Sequence, residues 1–141
     1  MRKMGCSFCG SKDQDKYSSM PTDKLVFLAE LNTSLKTFLN IQSQRISVYR
    51  SKGLLTHLLK RKHYKAAKYI DSLSEIITNP DYAGIRDEQI ELIKCFNDNI
   101  FLSIKLDKTK GIYYVSTIFD VNQAKIDYYC KSGRLKKFSK S

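Results

Sequence analysis

Residues 89–119 read QIELIKCFNDNIFLSIKLDKTKGIYYVSTIF, and this stretch decides the fold. It contains three segments rich in β-branched and aromatic residues, at 89–96, 100–106 and 112–119. Turn-forming residues separate them, Asn-Asp-Asn at 97–99 and Asp-Lys-Thr-Lys-Gly at 107–111. Two short hairpin connections in succession predict an antiparallel meander of three strands.

The meander has two faces of different character. In its central strand, positions 100, 102, 104 and 106 hold Ile or Leu, whereas Phe101, Ser103 and Lys105 lie between them. Successive side chains point to opposite faces, so one face is predicted to pack on helices. The other face, with Lys105, a hydroxyl and aromatic rings, is either the floor of a nucleic-acid cleft or an ordinary half-solvated surface. Strict alternation in the third strand puts four residues on one face: Tyr113, Val115, Thr117 and Phe119.

The segments before residue 51 are short. An apolar run at 24–31 fits either a strand or a helix. Thr33 or Ser34 is suited to cap a short helix that follows, because hydroxyls accept hydrogen bonds from the first free N–H groups. Residues 45–49 alternate in polarity and predict a strand.

Helical patterns fill residues 51–78, and one more follows the meander. Ser51 is placed to cap a helix with leucines at 54, 55, 58 and 59, and a second pattern covers 66–77. Turn residues at 79–84 end it, and Asn122 is placed to cap a last short helix. Helices first and strands after them predict an α+β fold.

The chain is long enough for one domain with its own core, at 141 residues. Lys and Arg number 25 against 14 Asp and Glu, so the formal net charge is +11. Clustered positive charge favours RNA, DNA, anionic lipid or an acidic protein as partner, although a solvated lysine-rich surface gives the same excess. No apolar run approaches the roughly 18 residues of a membrane span, and no apolar segment follows the basic N-terminus. A cytosolic protein without a membrane partner is expected.

The first 22 residues are polar and are interpreted as a flexible arm, which leaves residues 23–141 as a single domain. The arm contains Cys6 and Cys9, whose spacing is that of half a zinc ribbon. A structural zinc site needs four ligands, and Cys95 and Cys130 are isolated, so an intrachain site is disfavoured. The pair is interpreted as reduced thiols or as ligands of a zinc shared between chains. No metal or other cofactor is therefore expected.

Both histidines of the chain fall in one basic stretch, THLLKRKH at 56–63. From Arg50 to Lys68 there are seven Lys or Arg and no Asp or Glu. Cations hold phosphate and histidine moves protons near neutral pH, so the stretch predicts a protein that grips or cuts a nucleic acid. His57 and His63 are about 120° apart on a continuous helix, so only one of them can face a cleft. The alternatives are a hydrogen-bonded core histidine at 57 and a solvated helix end at 63.

Six short motifs follow one another along the chain: HLLKRKH at 57–63, IITNPDYAG at 76–84, IELIK at 90–94, IKLDK at 104–108, YVSTIFD at 114–120 and SGRL at 132–135. In combination they resemble phage-borne members of the barnase–EndoU–colicin E5/D–RelE nuclease superfamily, over roughly residues 24–138. The resemblance implies N-terminal helices packed on a four-stranded antiparallel sheet, and the sequence pattern adds a short C-terminal helix and a basic tail. It also implies metal-independent cleavage of RNA.

The resemblance assigns catalytic roles to the matching positions His57, His63, Lys105, Thr117 and Arg134. Contacts with nucleic acid are expected from Lys60, Arg61, Lys62, Tyr82, Ser132, Lys136 and Lys137. RNA supplies its own nucleophile, the 2′-hydroxyl, so the protein needs a base, a cation for the phosphorane and an acid for the leaving 5′-oxygen. Neutral histidine suits the first task, and Arg or Lys suits the second.

Two functions remain open on the sequence. The first is a metal-independent endoribonuclease of phage or mobile-element origin that leaves a 2′,3′-cyclic phosphate and acts on RNA or single-stranded nucleic acid in the host cytosol. The second is a basic binding protein without catalysis, a phage inhibitor that occupies a nucleic-acid-binding channel, an acidic host partner or a nucleoprotein complex.

Overall fold

The computed structural model describes residues 25–42, 45–109 and 111–138. The arm with Cys6 and Cys9 lies outside this range. The elements in chain order are β1 (Leu25–Glu30), α1 (Thr33–Phe38), β2 (Ser47–Ser51), α2 (Leu54–Lys60), α3 (Tyr64–Lys68), a 3-10 turn (Ile70–Ser72), α4 (Leu73–Thr78), β3 (Tyr82–Arg86), β4 (Gln89–Cys95), β5 (Asn99–Asp107), β6 (Ile112–Val121), α5 (Gln123–Lys131) and β7 (Lys136–Lys137). Among the described residues, no helix has the length and apolar character needed to cross a bilayer.

The strands form one seven-stranded sheet in the order β1-β2-β6-β5-β4-β3-β7. All neighbours are antiparallel except β2 and β6, which run parallel through the pairs Val48↔Tyr113 and Tyr49↔Tyr114. The α+β class and the meander β4-β5-β6 are confirmed. The prediction of N-terminal helices on a four-stranded antiparallel sheet is wrong, because the chain enters the sheet through β1 and β2, and the parallel pairing leaves no local sequence signal.

Two further strands extend the sheet beyond β4. Residues 79–84 were predicted to be a turn, but β3 begins at Tyr82 and pairs with β4 across a tight turn. The turn residues Asp87 and Glu88 have φ values of 52° and 63°, the left-handed region that a two-residue hairpin requires. The predicted basic tail also joins the sheet, because Lys136 and Lys137 pair with β3 as strand β7.

The helices α1 to α4 cover one face of the sheet, here called the first face. Its core contains Leu58 and Ile76 from the helices and Leu102, Ile104 and Val115 from the strands. The predicted helix at 66–77 is broken into α3, a 3-10 turn and α4, which follow the sheet surface closely enough to bury these residues.

The opposite face, here called the second face, carries a smaller core under α5. Phe101 and Ile93 of the sheet pack there with Ile126 and Tyr129 of α5 and with Leu135. The Asn122 side chain accepts a 2.8 Å hydrogen bond from the Lys125 N–H, which confirms the predicted cap of this helix. α5 covers only part of the second face, and the rows beyond it hold polar and aromatic side chains.

A β-bulge in β6 changes which face Thr117 occupies. Ser103 pairs with Thr117 and Ile104 with Val115, so Ser116 is an extra residue in the strand. Val115 belongs to the first-face core, whereas Phe119 packs in the second-face core. The prediction that Val115, Thr117 and Phe119 share a face is therefore wrong, because the bulge resets the alternation and turns Thr117 to the second face.

Candidate functional site

The chain after α5 brings Arg134 over the second face. Helix α5 ends at Lys131, and two residues later Gly133, with a φ of 85°, turns the chain back in the left-handed conformation that glycine adopts readily. The Arg134 N–H donates a 3.0 Å hydrogen bond to the Tyr129 carbonyl, which fixes the turn. The segment then crosses β3 and continues as β7.

Gly84 makes this crossing feasible. A Cβ atom at residue 84 would overlap the carbonyl oxygen of Arg134 and lie 3.0 Å from Leu135 Cδ2. Gly84 is the register partner of Glu91, so its missing side chain leaves space beside the Glu91 carboxylate. The backbone of Arg134 occupies this space, and from there its side chain reaches Glu91.

Arg134 and Glu91 form a two-point ion pair in the sheet face. Arg134 Nε donates to Glu91 Oε1 at 2.8 Å, and Nη2 donates to Oε2 at 2.7 Å. The guanidinium lies 4.4 Å from the Tyr129 ring centroid and 5.7 Å from that of Phe101. The Glu91 side chain is 7% exposed and that of Arg134 is 22% exposed. Hydrogen bonds to Glu91 raise the pKa of Arg134 in spite of its burial, so the guanidinium stays charged.

Hydroxyl groups and a lysine lie beside this pair. Glu91, Ser103 and Thr117 are register partners on three adjacent strands, and all three point to the second face. The neighbouring row places the exposed Lys105 opposite Gln89. These residues, with Arg134, are called the second-face cluster: Gln89, Glu91, Ser103, Lys105, Thr117 and Arg134.

Gln89 organises the hydroxyls of the cluster. Its Oε1 atom accepts hydrogen bonds from Ser103 Oγ and from Ser116 Oγ, the latter at 3.1 Å. The extra residue of the bulge therefore supports the cluster directly. Two cations, one carboxylate and hydroxyl groups meet on one surface, a combination that binds phosphate and transfers protons.

The histidines lie on the other side of the sheet. His57 belongs to α2, whose buried residues Leu54 and Leu58 pack into the first-face core, and its Nε2 atom is shielded from solvent. His63 precedes α3 in the same layer. Burial lowers the pKa of His63, the Asp120 carboxylate opposes this shift, and Arg61 adds to it. The sheet thus separates both histidines from Lys105, Thr117 and Arg134.

The residues predicted to contact nucleic acid are divided between the two sides. Lys60, Arg61 and Lys62 are exposed at the end of α2, in the helical layer. Lys136 and Lys137 are exposed on β7, where Lys137 pairs with the half-buried Tyr82. Burial raises the pKa of the Tyr82 hydroxyl. Ser132 donates to the Tyr129 carbonyl at 3.0 Å and helps to end α5.

Sequence reasoning missed Glu91 and Gln89. Glu91 lies between Ile90 and Leu92 in an apolar strand, and its partner Arg134 is 43 residues away. The sequence around either residue therefore does not indicate that they form a pair. One weak signal existed: an acidic residue inside a buried strand requires a partner.

Metal ligation has no support within the described ranges, where no three His, Cys, Asp or Glu side chains gather closely enough to hold an ion. Cys95 and Cys130 are free thiols, and burial raises the pKa of both.

A family model of nucleases matches residues 27–128, from within β1 to within α5. Arg134 lies just beyond the matched range. No curated protein and no solved structure gives a significant match to the chain. The match confirms the resemblance found in the sequence and supports a nuclease function in general terms. The chain belongs to the family described as phage-Barnase-EndoU-ColicinE5/D-RelE like nuclease 3.

Proposed function

We propose that this protein is an endoribonuclease that cleaves RNA without a metal ion, and that the second-face cluster is its site. The observation that carries the proposal is the Arg134–Glu91 ion pair, which lies between the Tyr129 ring and the side chains of Ser103 and Thr117. A cation and a carboxylate at bonding distance on a sheet face provide both charge stabilisation and a proton acceptor.

The two cations suit the phosphate. Arg134 uses Nε and Nη2 for Glu91, which leaves Nη1 to contact a phosphoryl oxygen. Lys105 is exposed, and it lies two residues from Ser103 along β5. Two residues of a strand span about 7 Å and neighbouring strands lie about 4.8 Å apart, so the long Lys105 side chain can approach a phosphate that Arg134 contacts. Both charges then stabilise the phosphorane.

Glu91 suits the proton transfer from the 2′-hydroxyl. Its two oxygens accept hydrogen bonds from Arg134 and retain lone pairs on their other sides. A phosphate bound by Arg134 places the preceding ribose next to the Glu91 carboxylate. Attack of the 2′-oxygen on phosphorus breaks the bond to the 5′-oxygen and leaves a 2′,3′-cyclic phosphate. Lys105 is the proton-bearing cation assigned to the leaving oxygen, and Thr117 is assigned to orient the phosphate.

The helical layer offers the competing location. Its exposed run Lys60–Lys62 and the two histidines could bind RNA on the first-face side, in keeping with the roles first predicted for them. The same exposed run also favours the second candidate function, a non-catalytic protein that binds a polyanion. The two sides are distinguished by neutralising one lysine on each.

The test incubates end-labelled single-stranded RNA with the protein in EDTA. Wild type is expected to cleave and to leave a cyclic phosphate. Lys105→Gln should lower the cleavage rate on the order of 10²-fold, the usual loss for one group that stabilises transition-state charge. Lys60→Gln, an equal charge change on the opposite side, should leave the rate nearly unaltered.

Other outcomes reject parts of the proposal. If Lys60→Gln and His57→Gln slow cleavage and Lys105→Gln does not, the site lies in the helical layer. If wild type binds RNA in a salt-dependent way but cleaves none, the binding-protein function replaces the enzyme.

A further inference from the structure

A row of register partners crosses the second face beside the cluster. Phe27 of β1 pairs with Tyr49 of β2, Tyr49 pairs with Tyr114 of β6, and Tyr114 pairs with Lys105 of β5. Val48 belongs to the first-face core, so Tyr49 points to the second face, together with Phe27. Three aromatic residues therefore connect the outer edge of the sheet with Lys105.

The outer part of this row is open. Phe27 is 53% exposed, and its ring meets the half-buried Tyr49 ring edge-to-face at a centroid distance of 5.6 Å. Tyr114 is buried and fills the row between Tyr49 and Lys105. A single exposed phenylalanine is common on protein surfaces and proves little. The alignment of Phe27 with Tyr49 and with the cationic end of the row distinguishes it.

Positive charge occupies the far end of the same row. Lys105 pairs with Gln89, and Gln89 pairs with Arg86, so both exposed cations stand in line with the aromatic rings. Strands are about 4.8 Å apart, which puts Tyr49 roughly 10 Å from the strand of Lys105. Aromatic rings at one end and cations at the other match the bases and phosphates of a strand laid across the sheet.

We propose that Phe27 and Tyr49 form a base-stacking subsite for the unpaired nucleotides that flank the reacting phosphate. The inference rests on the proposed ribonuclease function and specifies its substrate as single-stranded RNA. A duplex hides the faces of its bases, so only an unpaired base can stack on these rings. Stacking accepts every base, so the subsite selects strandedness rather than sequence.

The test measures binding of a fluorescent single-stranded RNA, about ten nucleotides long, by anisotropy. Phe27→Leu and Tyr49→Leu keep an apolar side chain but remove the flat ring, and each should weaken binding about 5- to 100-fold. Tyr64→Leu is the matched control, because Tyr64 is 60% exposed on α3 in the helical layer. Binding by the control should stay within about twofold of wild type. Phe27 is exposed, so its variant is expected to fold; melting temperatures check this for all three variants.

Cleavage assays separate the subsite from the reaction itself. The leucine variants should raise KM for the long RNA and leave kcat unaltered, and Phe27→Leu should also leave the cleavage of a dinucleotide unaltered, since a dinucleotide does not reach β1. If wild type cleaves RNA and both variants bind as tightly as Tyr64→Leu, the subsite is refuted and the proposed function stands. Equal affinity of wild type for duplex and single strand also refutes the subsite. A wild type that neither binds nor cleaves RNA refutes the function and the subsite together.

Discussion

Gly84→Ala should destabilise the protein more than a glycine-to-alanine change at an open position does. The added Cβ would overlap the Arg134 carbonyl oxygen and approach Leu135 Cδ2 at 3.0 Å, so the segment after α5 must move off β3. Overpacking of this kind costs about 1–3 kcal/mol. The movement also strains the Arg134–Glu91 pair; complete loss of one partner of a buried pair costs about 3–5 kcal/mol, but Arg134 is 22% exposed and the pair is only partly lost.

The net effect is about 2–3 kcal/mol. Alanine restricts the unfolded chain more than glycine does, which offsets the cost by about 0.4–1 kcal/mol. For a domain of this size the melting temperature should fall by roughly 6–15 °C. Urea unfolding followed by circular dichroism measures the free energy, and differential scanning calorimetry measures the melting temperature.

Gly53→Ala is the matched control. Its added Cβ would meet only Ser51 Oγ, at 3.6 Å, and the residue has an ordinary negative φ. The change should cost about 0.5 kcal/mol, from the poorer capping of α2 by alanine. Introducing Gly84→Ala into an Arg134→Ala background should cost less than in wild type, because the segment has already lost its anchor. A Gly84→Ala protein as stable as Gly53→Ala would show that the segment does not cross β3 as described, and the proposed site would lose its arginine.

Two further predictions concern a titration and a turn. Burial lowers the pKa of His63, so the unfolded chain binds a proton more readily than the folded one, and the free energy of unfolding should fall as pH drops through about 6.5. Urea titrations from pH 7.5 to 5.5 should show this dependence in wild type and a flatter one in His63→Gln. Parallel curves for the two proteins would contradict the prediction. Glu88 has a φ of 63°, which strains any residue with a Cβ atom, so Glu88→Gly should raise the free energy of unfolding by about 1 kcal/mol. Glu88→Ala retains the Cβ and should give no gain. Equal stability of the two variants would contradict the role of this turn.

Local sequence patterns predicted part of the local structure, although the cap of α1 is Asn32 rather than Thr33 or Ser34, and Gly53 rather than Ser51 is the cap of α2. The meander followed from alternating strands and turn residues, and the Asn122 cap followed from its position before an apolar helix. The turn residues at 79–81 were real, but their role was to start β3. Asp81 accepts a 2.7 Å hydrogen bond from the Cys95 N–H and a 2.9 Å bond, at its carbonyl, from the Phe138 N–H. Asp81 thus links the start of β3 to the end of β4 and to the residue after β7, and both partners are distant in sequence.

The composition of the site was harder to predict for two physical reasons. The bulge at Ser116 is one residue long and reverses the face of Thr117, although nothing in YVSTIF distinguishes it from a regular strand. The two histidines attracted attention because of their chemistry, but a helix that packs on the first face cannot present them to the second. Lys105, Thr117 and Arg134 were predicted as residues of one site, and the tertiary fold places them on one surface with Glu91.

The placement of a charged pair on this sheet face supports the chemical role proposed for it. A buried ion pair is weak support for stability, because apolar groups of similar size often serve as well or better. Phe101 and Tyr129 already provide an apolar setting in which such groups would pack. Instead, the chain uses Gly84 to open space and a left-handed Gly133 to turn back, and both features deliver Arg134 to Glu91. This arrangement supports the role proposed above for the pair, in which the guanidinium contacts phosphate and the carboxylate accepts a hydroxyl proton.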